Sequence, residues 1–320
     1  MNPFDPLYVK CNKGDPADKY RDLPEFPTHV DLEVTNSCNF RCLMCPTGNR
    51  AMKRPTGFME DRVYYGIVAE CAPHETALRF IGWGEPLLHP RIASFVRTAS
   101  DTGLLTHINT NGSKLTDDLA EQLIDAGLSS LKFSFQGVDR KSFEEMRNTD
   151  FFDDLIETVK AVRDIRGDKA LPFLHVSTSI TYETEDMVEK FRVEIAPLVD
   201  RVSIGKTIFD YMDLKAVRLS PADEETLRRL AKLESSEKKH PVPCPEVYDK
   251  LSIHWDGSVA VCCNDFDDMA KIGKFPDRTL KELWRAPLIE AYRAKLAKRD
   301  YSMPLCVSCY DYAGLTEHAV

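Results

Sequence analysis

The sequence lacks any long apolar run: no stretch of its 320 residues approaches the ~18 apolar residues that a membrane-spanning helix needs. It also lacks an excess of basic residues, since 42 Lys and Arg face 51 Asp and Glu for a net charge of −9. That balance argues against nucleic-acid or anionic-membrane partners, because both select for Lys and Arg. The N-terminus, MNPFDPLYVKCNKGD, lacks the basic start and apolar run of a signal peptide, so we expect a cytoplasmic protein.

Cysteine, by contrast, is plentiful, because the chain contains ten. In a cytoplasmic protein, thiols are more often metal ligands or reactive groups than disulfide partners. Cys11 and Cys71 stand alone, and for each we expect a small buried apolar side chain. The other cysteines form two sets along the chain, namely Cys38, Cys42 and Cys45, and then Cys244, Cys262, Cys263, Cys306 and Cys309.

Apolar, β-rich runs alternate with amphipathic helical stretches from residue 29 onward. The predicted strands are 29–34, 77–82, 104–109, 130–135, 173–180 and 201–205. One predicted helix has Thr116 as its N-cap and Gly127 just beyond its end. The other helices are predicted at about 60–72, 90–102, 139–147, 151–167 and 185–196. Strands and helices that alternate in this way predict right-handed βαβ units and a parallel sheet, either a partial barrel or an open doubly wound sheet.

The pattern changes beyond about residue 215. The segment SPADEETLRRLAKLESSEKKHP has Ser220 as a candidate N-cap and Pro221 in the first turn, which predicts a charged connecting helix. Farther on, two short apolar runs flank Asp256-Gly257, a turn typical of a β-hairpin. We therefore predict an N-terminal arm, a core domain, a linker helix and a small C-terminal domain, at 1–28, 29–215, 216–240 and 241–320 respectively.

The segment TNSCNFRCLMCPTG follows the first predicted strand, so it occupies the loop at that strand's carboxyl end. Parallel α/β sheets build their active sites at that edge. The C-x3-C-x2-C spacing lets the thiolates of Cys38, Cys42 and Cys45 converge on three corners of one [4Fe–4S] cluster, with the fourth iron left open. A zinc site is the alternative for this spacing alone.

The segment CNFRCLMC, with Met44 before the last cysteine, resembles the signature of the radical S-adenosylmethionine (radical SAM) family. The resemblance spans about residues 29–210 and implies a partial (β/α)6 TIM-like barrel of the α/β class. It also implies that SAM binds the open iron through its amino and carboxylate groups. In that family, one electron from the cluster splits SAM into methionine and a 5′-deoxyadenosyl radical, which abstracts hydrogen from the substrate.

Three further motifs at the ends of successive predicted strands resemble SAM-binding segments of that family. In GWGEPLLHP, residues Gly82, Gly84 and Glu85 match a Gly-Gly-Glu loop that meets the SAM amino group, although a tryptophan interrupts the glycine pair. In NTNG, Asn111 is expected near the ribose, and in SFQG, Ser134 is expected at the SAM carboxylate or ribose. Each motif alone is ordinary turn chemistry, so their order along the chain supports the resemblance.

The second cysteine set combines C-x12-G-x4-C, from Cys244 to Cys262, with a downstream C-x2-C at Cys306 and Cys309. On spacing alone, these four thiolates could hold zinc or an Fe–S cluster. The pattern resembles the SPASM extension of radical SAM enzymes in its shorter twitch form, which implies one auxiliary [4Fe–4S] cluster on these four ligands. Cys263 departs from the pattern, and it could replace Cys262, be a spectator, or face the active site as a free thiol.

A layout with one auxiliary cluster resembles radical SAM enzymes of antibiotic biosynthesis that oxidise an aminocyclitol alcohol. Similar enzymes dehydrogenate or epimerise sugars and nucleosides. The resemblance therefore implies an oxidoreductase that converts a secondary alcohol of a carbohydrate-like, aminocyclitol or nucleoside small molecule to a ketone. The auxiliary cluster would accept an electron, and an external flavodoxin or ferredoxin would deliver the electron that cleaves SAM.

Other functions stay open at this stage. A radical epimerase would use Cys263 as hydrogen-atom donor, because the S–H bond is weak. Modification of a ribosomal peptide is less expected, since fewer than thirty residues precede the first predicted strand. Two non-enzymatic functions are also possible from the sequence, a zinc-stabilised structural protein and an Fe–S electron carrier.

Overall fold

The computed structural model describes residues 1–11, 14–207, 209, 217–233, 244 and 246–311. Residues 216 and 234–240 of the predicted linker, and residues 241–243, 245 and 312–320 of the predicted C-terminal domain, lie outside the described residues. None of the helices among the described residues combines the length and the apolar character that spanning a bilayer requires.

The described residues form one sheet of nine strands in the order β6-β5-β4-β3-β2-β1-β7-β8-β9. Strands β1 to β7 run parallel to one another, β8 is antiparallel to β7, and β9 is antiparallel to β8. The strands are β1 (His29–Leu32), β2 (Ala77–Phe80), β3 (Thr106–Thr110), β4 (Ser130–Ser134), β5 (Phe173–Ile180), β6 (Arg201–Lys206), β7 (Lys250–Ile253), β8 (Ser258–Ala260) and β9 (Lys271–Lys274). All six strands predicted for the core domain are therefore present, in a parallel arrangement.

Helices connect the parallel strands, as the alternating pattern predicts. Thr116 Oγ accepts a hydrogen bond from the Leu119 amide, and Gly127 follows that helix at a φ of +82°, so both predicted helix ends are confirmed. The helices are α1 (Asp5–Cys11), α2 (Pro16–Arg21), α3 (Asp61–Cys71), α4 (Ile92–Asp101), α5 (Asp117–Asp125), α6 (Arg140–Arg147), α7 (Phe152–Arg166), α8 (Glu185–Ile195), α9 (Pro221–Leu233), α10 (Glu246–Asp249), α11 (Leu280–Trp284), α12 (Pro287–Leu296) and α13 (Pro304–Asp311).

The two faces of the core strands differ in character. One face packs against the helices through apolar side chains that are fully buried, such as Phe80, Ile108 and Phe133. The opposite face, called the inner face below, is polar, and most of its side chains are only half-buried. Its members include Asp31, Arg79, Asn109, Lys132 and His175. Parallel sheets are normally buried and apolar on both faces, so this accessible polar face is suited to a polar ligand.

The N-terminal segment, predicted as an arm, contains α1 and α2 and lies across the amino end of the inner face. Phe4 is fully buried, and its ring packs against the ring of His107 at a centroid distance of 5.6 Å. Asp5 forms a two-pronged ion pair with Arg201 at 2.8 Å, which ties α1 to the first residue of β6. This contact closes the end of the inner face that lies opposite the strands' carboxyl ends.

The C-terminal segment continues the same sheet. Strand β7 pairs with β1, with Lys250 opposite His29, and β8 returns from the predicted hairpin turn, where Gly257 has a φ of +85°. Buried Trp284 donates from its indole nitrogen to the Pro24 carbonyl at 2.9 Å. The C-terminal segment is therefore joined to the core by strand pairing and to the N-terminal segment by side-chain contacts.

Candidate active site

The three-cysteine loop lies beyond the carboxyl end of β1. Cys42 is buried, and Cys38 and Cys45 are half-buried. Burial, followed by the charges of neighbouring groups, raises the pKa of Cys38 to about 12, and burial and the charge of Cys42 raise the pKa of Cys45. Thiols held in this way ionise only when a bound group brings positive charge. Cys38 and Cys45 have that property, and the three closely placed thiols fit the [4Fe–4S] cluster that their spacing predicts.

Arg147, at the end of α6, is a buried cation beside this loop. Its Nη1 lies 3.5 Å from Cys42 Sγ, and its Nη2 donates to the carbonyl oxygen of Ser134. The guanidinium Nε has no partner among the described residues. The position of Arg147 is not predictable from the sequence, because an arginine in the last turn of a helix is common and gives no sign that it points inward.

The two glycines of GWGEP allow two loops to touch. A Cβ on Gly84 would collide with the carbonyl oxygen of Thr35 and lie 2.7 Å from that of Ser37, and a Cβ on Gly82 would lie 2.6 Å from Glu33 Cβ. The loop after β2 therefore packs directly on the loop after β1. The contact of Gly82 and Gly84 with the SAM amino group stays a prediction.

Glu85 is buried and holds the loops after β2 and β3 together. One carboxylate oxygen accepts from the Asn111 amide at 2.7 Å, and the other accepts from Thr110 Oγ at 2.6 Å and the Leu87 amide at 3.0 Å. Burial raises the pKa of Glu85, although these donors partly offset that effect. The same contacts place Asn111 beside the three-cysteine loop, with its Nδ2 3.9 Å from Cys38 Sγ.

The remaining predicted SAM-site residues lie at the same edge of the sheet. Ser134 ends β4 and is half-buried, and Arg147 joins it to Cys42. Met44 is half-buried and packs with Leu43 on an apolar cluster beside the loop. The structure thus brings the predicted residues from four strand ends together, and their individual roles stay predictions.

Four cysteines of the second set lie near one another. Burial, and after it the charges of neighbouring groups that include other cysteines of the set, raise the pKa values of Cys244 and Cys262 well above the usual range. Burial and then the nearby Cys309 raise the pKa of Cys306 to about 12. No three His, Cys, Asp or Glu side chains in the described ranges are arranged to hold a single metal ion. A four-iron cluster spreads its sulfur ligands more widely than one ion does, and it fits these four thiols.

Cys263 makes its hydrogen bond with a carboxylate. Its exposed thiol donates to a Glu246 carboxylate oxygen at 3.2 Å, and the same carboxylate forms an ion pair with Lys250. Lys250 Nζ also lies 2.8 Å from Asp31, whose other oxygen lies 3.0 Å from Arg79 Nε. A chain of ion pairs therefore runs from Cys263 to the inner face. Of the three possibilities for Cys263, this placement favours a free thiol.

Two family models match the chain. The model of the Radical SAM superfamily matches residues 32–195, and that of the SPASM iron–sulfur cluster-binding domain matches residues 244–310. These ranges lie inside the predicted core and C-terminal domains, whose bounds stay predictions. Among curated proteins, a tungsten-containing aldehyde ferredoxin oxidoreductase cofactor-modifying protein of Pyrococcus furiosus is 34% identical over 108 residues, which cover 33% of this chain. That match spans only 30% of the relative's length.

Solved structures share the fold at low sequence identity. BtrN in complex with AdoMet and 2-DOIA superposes with a TM-score of 0.53 at 16% identity, covering 85% of this chain and 87% of that one. SuiB of Streptococcus suis bound to the precursor peptide SuiA superposes with a TM-score of 0.63 at 15% identity, covering 87% of this chain and 69% of that one. The superfamily model spans slightly more than half of the chain. The protein therefore belongs to the radical SAM superfamily, as an enzyme that uses a [4Fe–4S] cluster and SAM and has a C-terminal SPASM domain for auxiliary Fe–S binding.

Proposed function

We propose that the enzyme oxidises a secondary alcohol of a carbohydrate-like, aminocyclitol or nucleoside small molecule to a ketone, in natural-product or sugar biosynthesis. The observation that supports this proposal is the accessible polar inner face of the sheet, which has the three-cysteine loop at its carboxyl edge. Charged and hydrogen-bonding side chains on three neighbouring strands, Asn109, Lys132 and His175, suit a molecule rich in hydroxyl groups. BtrN, named with the small molecule 2-DOIA, shares this fold.

The proposed roles follow from the positions of the residues. Cys38, Cys42 and Cys45 would hold the SAM-binding cluster. When bound, SAM and its cluster supply hydrogen-abstracting chemistry, and the auxiliary cluster supplies an electron acceptor. The proposed SAM contacts are Met44, Gly82, Gly84, Glu85, Asn111 and Ser134, and the proposed auxiliary-cluster ligands are Cys244, Cys262, Cys306 and Cys309.

The chain's own residues shape the space where the substrate would bind. The ion pair of Asp5 with Arg201 and the packing of Phe4 on His107 close the amino end of the inner face to water. Substrate would therefore enter from the carboxyl ends of the strands, where the three-cysteine loop lies. An external flavodoxin or ferredoxin is the proposed electron donor.

Epimerisation is the second candidate, because Cys263 presents an exposed thiol held by Glu246 and connected to the inner face. The thiol would return a hydrogen atom to the substrate carbon from the opposite side. Peptide modification is the third candidate, since SuiB, which has the same fold, is named with a precursor peptide.

The test uses anaerobically reconstituted full-length protein with SAM and dithionite in D2O, and compares panels of aminocyclitols, sugars, nucleosides and peptides. Oxidation gives 5′-deoxyadenosine and a ketone two mass units lighter than the substrate. Epimerisation instead gives a product with one deuterium from the exchanged thiol, and Cys263→Ser abolishes it while sparing oxidation. Formation of deoxyadenosine only with peptides would contradict a small-molecule substrate.

Iron content separates the two cluster assignments. We expect about eight irons per chain, and about four after Cys38, Cys42 and Cys45 are all changed to Ala, with SAM cleavage lost. Retained cleavage in the triple variant would contradict the assignment of the first cluster. About four irons together with zinc in the unmodified protein would remove the proposed electron acceptor and, with it, the oxidation.

A further inference from the structure

Lys132, in β4, is a half-buried cation of the inner face that has no carboxylate in ion-pair contact, and Asp31 acts on it only at longer range. Its ammonium group has no hydrogen bond or ion pair with any residue that the structure describes. Its neighbours in register are Asn109 on β3 and His175 on β5. The buried Oδ1 of Asn109 also has no partner among the described residues, and His175 uses its Nε2 to contact Ser203 Oγ at 2.9 Å. Unused hydrogen-bonding groups are therefore grouped around Lys132.

The carboxylates nearest this region already have partners. Asp31 pairs with both Arg79 and Lys250, and Glu246 pairs with Lys250, so two carboxylates lie among three cations when Lys132 is included. Histidine does not change this balance, because burial lowers the pKa of His175 to about 4 and leaves it neutral at pH 7. The charge in excess is therefore positive.

Glu33 and Asp5, two further acidic side chains beside the inner face, are likewise paired. Glu33 is held through both oxygens by Arg54 at 2.9 and 2.8 Å. Asp5 is held by Arg201. Partial loss of water around a cation that has no ion-pair partner is unfavourable, and an anion that arrives with a ligand offsets that cost.

We propose that Lys132 is the binding site for an oxyanion of the substrate, a carboxylate or a phosphate, on the inner face. This inference rests on the proposed function and narrows its substrate to anionic polyols, such as sugar acids or sugar phosphates. An ammonium group suits either oxyanion, because it acts as a point charge with three donors and demands no planar geometry. Asn109 and His175 would contact the hydroxyl groups next to the oxyanion.

Lys132 can be observed directly, without any turnover. Burial and the charge of Arg79 lower the pKa of Lys132 to about 8, so at pH 8 about half of it is the neutral, nucleophilic amine. A trace of acetic anhydride should therefore acylate it readily, and peptide mass spectrometry gives the rate. Exposed Lys141 serves as the internal control.

The experiment compares reconstituted holoprotein alone and with glucose, glucuronate, glucose 6-phosphate or SAM. At ten times the dissociation constant, an occupied site should slow acylation of Lys132 about tenfold and leave Lys141 unchanged. Protection by glucuronate and glucose 6-phosphate, or by one of them, supports the site and identifies the oxyanion. Equal protection by glucose, protection by SAM alone, no protection, or no acylation of Lys132 would overturn it.

Variants give a second measurement. Lys132→Met should weaken binding of the protecting sugar in equilibrium dialysis on the order of tenfold to a hundredfold, while Lys132→Arg and Lys141→Met should not. Unchanged binding by Lys132→Met would overturn the proposal even if the labelling agreed with it. Because neither measurement depends on SAM cleavage, failure of this site is distinguishable from failure of the proposed reaction.

Discussion

Asp31 is the anion on which the charge balance of the inner face depends. It lies on β1 with its side chain almost fully buried, 3.0 Å from Arg79 Nε and 2.8 Å from Lys250 Nζ. Asp31→Asn keeps the size and shape of the side chain, removes its charge and replaces one acceptor oxygen with an amide donor. Arg79 and Lys250 would then share Glu246 as their remaining partner, next to the uncompensated Lys132.

The expected loss of unfolding free energy is large. Breaking a buried ion pair by removing one partner costs roughly 3–5 kcal/mol, because the other charge stays buried. The pKa gives an independent measure. Burial alone would raise it, but Arg79 and Lys250 lower the pKa of Asp31 to about 2. Against an unfolded value of about 3.9, the depressed pKa corresponds to about 2–3 kcal/mol, present above pH 4 and lost as the pH falls toward 2.

Urea unfolding at pH 7, followed by fluorescence of buried Trp284, measures the loss. Asp125→Asn is the matched control, because Asp125 pairs with Lys169 at 3.5 Å with both side chains exposed. This variant should be as stable as the unmodified protein. Asp31→Asn should also have a smaller decrease in stability between pH 4 and pH 2. A loss below about 1 kcal/mol at pH 7 would refute the role of Asp31 in balancing these buried charges.

Three further changes test the loops around the candidate active site. Gly84→Ala places a methyl group against a backbone carbonyl of the three-cysteine loop. SAM affinity in equilibrium dialysis should therefore fall at least tenfold, and unchanged affinity would contradict that close contact. Glu85→Gln removes one buried acceptor and should lower the free energy of unfolding, measured in urea, by about 1–3 kcal/mol. A variant as stable as the unmodified protein would show that the three hydrogen bonds do not hold the loops together. Arg147→Met removes the cation 3.5 Å from Cys42 Sγ. The reduction potential of the first cluster should therefore fall on the order of 100 mV in an EPR-monitored titration, and an unchanged potential would place the charge away from the cluster.

The order of the core elements is predictable from local patterns. Strand β5 begins and ends where the apolar run predicts, and Thr116 and Gly127 mark the ends of their helix because capping and positive φ are local requirements. Strands β1 and β2 end two residues before their predicted ends. Those extra residues belong to the loops of the candidate site, where the backbone leaves the sheet to bring two strand ends together.

The predicted N-terminal arm shows the limit of local patterns. Its helices α1 and α2 are short, and short helices are marginal by propensity, so their stability depends on packing. Phe4 on His107 and Asp5 on Arg201 supply that packing from strands far away in sequence. No pattern within the first residues could indicate that the segment closes the inner face.

The sequence by itself determined the alternation of strands and helices, the family, and which residues meet at the carboxyl edge of the sheet, because these depend on spacing and on the rule that parallel strands end together. The tertiary structure decided the charge environment. The contact of Arg147 with Cys42, that of Cys263 with Glu246, and the charge environment of Lys132 each depend on which distant side chains come within a few ångströms. Coulombic energies in a buried site depend on such distances, and spacing along the chain does not contain them.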